Sequence, residues 1–338
     1  MTANAVIFGC EGLVLTDWER GFFTDSNPLG FILFARNCES PEQIRALVSD
    51  LRECIGRADA PVLIDQEGGR VARLKPPHWR AAPAAARFGL LAGRDRALAE
   101  QAVRINARLF AAELLDLGIT VDCAPVLDLP APGANDVIGD RAFGADTALI
   151  ADLGQAFCDG LLAGGVLPVI KHIPGHGRAR VDSHNELPAV ETPRAELEVS
   201  DFRPFAALAG APWAMTGHLV YVAIDPDNPA TMSPAVIAEV IRGAIGFDGV
   251  LVTDDLSMAA LRGNFGARAS KALAAGCDLA LHCNGKAEEM TAVMDGVGPI
   301  GSEAARRLAA AAARPAAPEA VDGAALAARL DRLLDARG

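Results

Sequence analysis

Residues 166–172 read VLPVIKH, and residues 173–190 continue IPGHGRARVDSHNELPAV. The opening run is short and continuously apolar until its last two positions, and it shows no helical period. That pattern fits a strand of a parallel sheet, which is covered on both faces. The strand ends in Lys171 and His172 and opens into a turn of glycine and proline. Working outward, the same design recurs along the chain: AVIFGC from Ala5, GFILFA from Gly30, PVLIDQ from Pro61, ITVDCAPV from Ile119, PWAMTGH from Pro212, GVLVTDD from Gly249 and CDLALHC from Cys277. Amphipathic segments such as PEQIRALVSDLRECI and ALAEQAVRINARLFAAELLDLG lie between them. Strands alternating with helices build βαβ units and a parallel sheet. Eight of them predict an α/β fold, a closed (β/α)8 TIM-type barrel with some irregularity. An open doubly wound sheet is the competitor, and no GxGxxG opens a helix after the first strand. From about Ile300 the chain is Ala-rich and helical, which predicts extra C-terminal helices packed on the barrel's outside. With no repeat and no linker, residues 1–338 are expected to form one domain.

Composition bounds the function. Hydrophobic residues make up 51% of the chain and charged residues 22%, enough for a large core. The net charge of −12 argues against nucleic acid as a partner, because phosphate binding needs a basic face. The N-terminal stretch has no basic region before its apolar run, so a signal peptide is not expected. No stretch of about 20 residues is apolar enough to span a bilayer. The seven cysteines are odd in number, scattered and without a CxxC pair, as in a reduced protein. A cytoplasmic monomer with no membrane partner is expected.

In a barrel of this kind the active site lies where the strands end, at the C-terminal mouth. The third strand leads to Asp65, Arg70 and Arg73, and the fourth toward Asp128 and Arg141. The fifth ends in Lys171 and His172, the sixth at His218 and the seventh at Asp254 and Asp255. Ionisable groups gathered at one end of apolar strands predict a functional mouth. Single residues have structural alternatives: Asp65 as a helix cap, Lys171 and His172 as a mutually satisfied pair. Asp128, before a Pro-rich turn, reads best as a structural hydrogen-bond acceptor. Successive strand residues point to opposite sides, so only one of Asp254 and Asp255 faces the mouth. Asp254 shares the parity of Val252 and Val250, which leaves Asp255 to start the next turn.

The loop after the fifth strand carries His172, His176, Asp182 and His184. An HxxxH pair on a Pro-Gly turn is a weak metal signature, so no metal and no cofactor are expected. Asp182 and His184, one residue apart, suit acid/base work: a carboxylate beside an imidazole fixes its tautomer and raises its pKa.

These residues carry a resemblance. KHIPGHGRARVDSH resembles the KH(F/I)PGHG…DSH signature of glycoside hydrolase family 3, β-N-acetylglucosaminidase branch, and LIDQEGGRVARL, APVLDL, VIGDRAFG and LVTDDLSM resemble further blocks of that family in the same order. The match runs from about Gly30 to Gly285. It implies a single-domain barrel acting in the bacterial cytoplasm as a β-N-acetylhexosaminidase, a hydrolase that releases terminal N-acetylglucosamine (GlcNAc) from GlcNAc-anhydro-MurNAc peptides in peptidoglycan recycling and cell-wall biogenesis. Carried over by motif, the nucleophile is Asp254 and the acid/base dyad His184 with Asp182. Sugar-binding positions match Asp65, Arg73, Arg141, Lys171 and His172. The implied reaction is retaining, with Asp254 attacking the anomeric carbon while the loop's glycines let His184 swing in and out. The chain departs from many members by placing Arg178-Ala179 where they carry Asp-Thr. Arg178 and Arg180 are therefore weighed as a fork for a leaving-group carboxylate, against two solvated loop arginines. Substrate-assisted hydrolysis, a β-glucosidase-type specificity and a non-catalytic sugar-binding barrel are the rivals.

Overall fold

The computed structural model describes residues 2–181, 186–315, 317–318 and 321–335. Eight parallel strands close into a barrel: β1 (Asn4–Gly9), β2 (Pro28–Leu33), β3 (Val62–Ile64), β4 (Val121–Asp122), β5 (Leu167–Ile173), β6 (Trp213–Thr216), β7 (Val250–Asp255) and β8 (Leu279–His282). Each strand pairs with its neighbours in sequence, and β8 closes on β1 with Val6 opposite Ala280. This is the (β/α)8 barrel expected from the eight apolar runs. The ladder of β4 is shorter than its run, ITVDCAPV. Pro125 has no N–H to donate, and beyond it only an isolated bridge from Val126 to Lys171 continues the pairing.

The period of two along each strand sorts the side chains. Ile7, Leu63, Val121, Val169, Val252 and Leu281 belong to one apolar cluster that fills the barrel's interior. Their neighbours Val6, Phe8, Ile64, Ile170 and Leu251 belong to the larger cluster under the helices. Helix α1 (Asp17–Ser26) starts with a capping box, in which Thr16 and Glu19 satisfy each other's backbone N–H. Helix α2 (Pro41–Cys54) starts with a Ser40 cap and Pro41 in its first turn. Helices α3 (Ala85–Ala92) and α4 (Arg96–Asp116) cover the crossover from β3 to β4, and α5 (Thr147–Ala163) the next one. α4 and α5 approach through small residues. A Cβ added at Gly160 would stand 2.6 Å from the Cβ of Ala107, and one at Gly164 would stand 2.2 Å from that of Ala111. The later crossovers are less regular, with short helices at Arg194–Val199 and Arg203–Ala207 and a π-helix at Val236–Ala244.

The Ala-rich C-terminal segment departs in part from expectation. Helix Gly323–Asp335 lies on the outer layer, where Leu330 joins the core beneath the helices. Helix Ser302–Ala312 instead closes the N-terminal base of the barrel: Ala311 enters the interior cluster, with Ile300 and Leu308 packed against it. Ile300 N–H donates to the Ala3 carbonyl (3.0 Å), and Ala5 N–H to the Gly298 carbonyl (2.9 Å). The physical reason is that the strand starts would otherwise leave the apolar interior open to water. Among the described residues no helix is long and apolar enough to cross a membrane.

Candidate active site

One step of two residues beyond the interior cluster, the same inward parity reaches charged side chains. Asp65 follows Leu63, Lys171 follows Val169 and Asp254 follows Val252. All three line a cavity of about 260 Å³ at the mouth, together with Arg73, Arg141 and His172. The five expected sugar-binding positions and Asp254 are thus brought to one place.

Their charges are interlocked. Lys171 Nζ lies 2.7 Å from Asp65 Oδ1 and 2.7 Å from Glu67 Oε1. Arg73 donates to Asp65 Oδ2 at 2.9 Å, and its guanidinium carbon lies 5.0 Å from the centroid of the Phe34 ring. Arg141 forks onto Glu67 through Nε and a terminal nitrogen, both at 2.8 Å, while its other terminal nitrogen holds the Val137 carbonyl (3.1 Å). Burial opposes ionisation of Asp65, Glu67, Lys171 and Arg141. For Asp65 and Glu67 the opposing field of Lys171, then of Arg73 or Arg141, more than compensates and holds both carboxyls below their ordinary range. Lys171, against Asp65 and Glu67, and Arg141, against Glu67, are pushed above theirs. Charges buried in this way persist because each is paired with fitting geometry.

Asp254 is arranged differently. One carboxylate oxygen accepts the N–H of Asp255 at 2.8 Å, its only hydrogen bond among the described residues. Burial would raise its pKa, but the field of His172, then of His218, the Asp255 N–H and Lys171 hold it lowered. An ionised carboxylate with uncommitted acceptor capacity therefore faces the cavity. Asp255 is fully engaged as the start of the next turn: it accepts from Ser257 N–H (2.9 Å), Ser257 Oγ (2.6 Å) and Cys283 N–H (3.1 Å). Both aspartates line the cavity, so the expectation that only one faces it is not met; Asp254 is the one left with free acceptor capacity. A register shift between Val252 and Asp255 marks the point where β7 turns.

His172 is held from behind. Its Nδ1 lies 2.7 Å from Asp128 Oδ2, and Asp128 Oδ1 takes the backbone N–H of His172 (3.2 Å) and of His176 (2.7 Å). Burial disfavours the Asp128 anion, yet His172 and these donors lower its pKa to about 2. Asp128 is a hydrogen-bond acceptor, as its place before the turn predicts. Burial first, then the charge of His172, lowers His176 to about 4. His218, expected at the mouth, does not line the cavity: it is buried behind β7, where it bonds Thr231 Oγ1 (2.7 Å) and the Asp255 carbonyl (3.0 Å). Arg70 pairs with Asp140 (2.8 Å) and donates to the carbonyls of Asp136, Val137 and Ile138, fixing the loop after β4 as one wall. No group of three or more His, Cys, Asp or Glu residues among the described residues could hold a metal ion.

Two expectations about the fifth loop change. The glycines of the GHG turn are not a hinge. A Cβ at Gly177 would stand 1.9 Å from the Leu129 carbonyl oxygen, Gly177 O accepts from Ala131 N–H (3.0 Å), and Tyr221 OH donates to the Gly175 carbonyl. Small size is needed there for close approach, and the turn is pinned. Arg178 is not a fork for a ligand: Nε holds Asp201 (2.7 Å), and terminal nitrogens reach Glu196 (3.0 Å), Thr192 (3.3 Å) and Ser200 (3.2 Å). Arg180 is exposed. Asp182 and His184, the expected dyad, lie outside the described residues. Glu67 was missed by sequence reasoning. The signal was present, since Glu67 stands two residues after Asp65 and shares its parity.

A (β/α)8 barrel whose mouth holds an ionised carboxylate in a charged cavity suits an enzyme that cleaves a polar substrate such as a glycan. The chain matches the Glycosyl hydrolase family 3 N terminal domain over residues 17–315 and belongs to that family. It is 41% identical over 288 residues to a beta-hexosaminidase of Alkalilimnicola ehrlichii, covering 84% of this chain and 82% of the relative. Among solved structures, NagZ from Neisseria gonorrhoeae in complex with N-trifluoroacetyl-D-glucosamine is similar with a TM-score of 0.89 at 30% identity, covering 99% of each chain. A glycoside hydrolase family 3 beta-N-acetylglucosaminidase from Paenibacillus is similar with a TM-score of 0.86 at 31% identity, covering 97% of this chain and 67% of that one. The chain is a glycoside hydrolase of the β-N-acetylhexosaminidase kind.

Proposed function

We propose that the chain is a retaining exo-β-N-acetylglucosaminidase that removes terminal non-reducing GlcNAc from 1,6-anhydro-muropeptides, acting in the cytoplasm as a single-domain monomer in peptidoglycan recycling. The observation that carries this reading is Asp254: a buried carboxylate held ionised, oriented by one backbone N–H, with its remaining acceptor capacity toward the cavity. Asp254 attacks the anomeric carbon as the bond to the leaving oxygen breaks, and His184, protonated and held by Asp182, gives that oxygen its proton. Water then attacks the glycosyl-enzyme carbon, His184 takes the water's proton, and Asp254 is released with the β configuration kept. Asp65, Arg73, Arg141, Lys171 and His172 hold the sugar hydroxyls. A cavity of about 260 Å³ suits a single sugar residue, which favours cleavage from a chain end. The neisserial NagZ complex with N-trifluoroacetyl-D-glucosamine supports an aminosugar there. Substrate assistance by the acetamido oxygen loses ground because Asp255, the neighbouring carboxylate it would need, is spent on Ser257 and Cys283.

Parallel turnover of 4-nitrophenyl N-acetyl-β-glucosaminide, 4-nitrophenyl β-glucoside and a GlcNAc-anhydro-muropeptide tests the reading, with and without EDTA. The expected result is EDTA-insensitive release of GlcNAc from the first and third, with the glucoside poorly cleaved. Preference for the glucoside, or no release from the muropeptide, contradicts the substrate assignment.

A further inference from the structure

The carboxylate of Asp128 sits directly behind the cavity, and its acceptor sites are divided between two duties. Oδ2 meets His172 Nδ1 at 2.7 Å, while Oδ1 takes the N–H of His172 and the N–H of His176. The carboxylate is wholly buried and its His172 partner nearly so. An ionised carboxylate only accepts hydrogen bonds. The ring nitrogen facing it must therefore carry a proton, which leaves Nε2 as the nitrogen available to the cavity. The second duty reaches further: His176 is the middle of the GHG turn, so the same carboxylate holds the start of the loop that leads to Asp182 and His184. We infer that Asp128 is a positioning residue for the reaction, setting the tautomer of His172 and fixing the root of the acid/base loop through the His176 backbone.

This inference rests on the reading of His172 as a sugar contact, and it predicts more than a structural role would. An Asn at position 128 has the same shape. Its oxygen can keep the two backbone N–H bonds, and its amide then offers a donor to Nδ1 where the carboxylate offered an acceptor. The tautomer reverses while the turn stays in place. Wherever the ring is neutral, the variant would then present an N–H at Nε2 and the wild type a lone pair there.

The experiment is a set of kinetics with 4-nitrophenyl N-acetyl-β-glucosaminide on wild type, Asp128→Asn, His172→Gln and the double variant, read beside thermal melting. Asp128→Asn is expected to lower kcat/KM by about 10- to 100-fold, the scale on which orienting carboxylates act on histidines, with most of its folded population retained. The double variant should lose little more than the worse single one, because both changes remove the same contact. If His172→Gln is impaired while Asp128→Asn has wild-type kinetics, or if the two losses multiply, the positioning role is overturned and the sugar-contact reading survives. Wild-type kinetics for His172→Gln would remove both. Should Asp128→Asn fail to fold, ¹⁵N resonances of the His172 ring in the wild-type protein at alkaline pH decide alone: a protonated Nδ1 is expected, and a protonated Nε2 overturns the inference.

Discussion

The two ends of the barrel use the same side chains to opposite effect. At the base, Asp278 joins Arg242 (2.9 Å) and Arg307 (2.9 Å), and Asp248 joins Arg306 and Arg307. These pairs lie around the strand starts, while the interior behind them is sealed by Ala311, Leu308 and Ile300. At the mouth the charged pairs stand inside the interior itself, on the inward parity that continues from β3 and β5, with the unpaired Asp254 of β7 beside them, and the space above is open. Base pairs tie a terminal helix to the barrel. Mouth pairs keep Asp65, Glu67, Lys171 and Arg141 desolvated beside a cavity, an arrangement that an apolar plug would make unnecessary. Burying charge without a plug costs stability, and the mouth accepts that cost where a polar ligand is to be held.

The comparison breaks most sharply at Asp254. Asp254→Asn should lower turnover of the aryl glycoside by about 10³-fold or more, the scale on which loss of a reacting group acts, with the melting temperature close to wild type. Near wild-type turnover would move the nucleophile elsewhere. His184→Ala should slow hydrolysis by roughly 10²–10⁴-fold, the usual worth of an acid/base group. In single-turnover glycosylation the loss should shrink for leaving groups that need no proton, and equal losses would deny it the acid role.

Glu67→Gln should raise KM about tenfold, because Arg141 and Lys171 lose a charge-assisted partner of roughly that worth. Steady-state kinetics checks it, and an unchanged KM with lowered melting would make Glu67 a base-like strut. The pH profile is a fourth probe. Asp254 must be ionised to attack, and its pKa is lowered, so the acid limb of kcat/KM should fall below the ordinary carboxylate value. A limb at or above that value contradicts the electrostatic account. The smallest kinetic effect belongs to the base: Asp278→Asn should cost about 2 kcal/mol of stability, the range of a hydrogen bond to charge, and leave kcat and KM unchanged.

Much of this was legible in the sequence, for physical reasons. Parallel strands covered on both faces must be apolar runs, so all eight announced themselves, and period-two parity placed Asp254 with the inward Val252; the hydrogen bonds that occupy Asp255 were not legible. The same parity would have found Glu67. What was not legible depends on distant partners. No periodicity says that an Ala-rich helix seals the base, since an alanine face fits either site. A glycine pattern permits a hinge, and only the Leu129 carbonyl beside Gly177 shows that it serves close packing instead. The commitment of Arg178 to Asp201 and Glu196 is likewise a tertiary fact.

The central claim is that Asp254 forms a bond to the sugar, and trapping tests it most directly. Incubation with a 5-fluoro analogue of the N-acetylglucosaminyl substrate, followed by proteolysis and mass spectrometry, should place a glycosyl ester on the peptide VLVTDD at Asp254. An ester at any other residue, or turnover of a competent analogue with no adduct formed, would contradict the account.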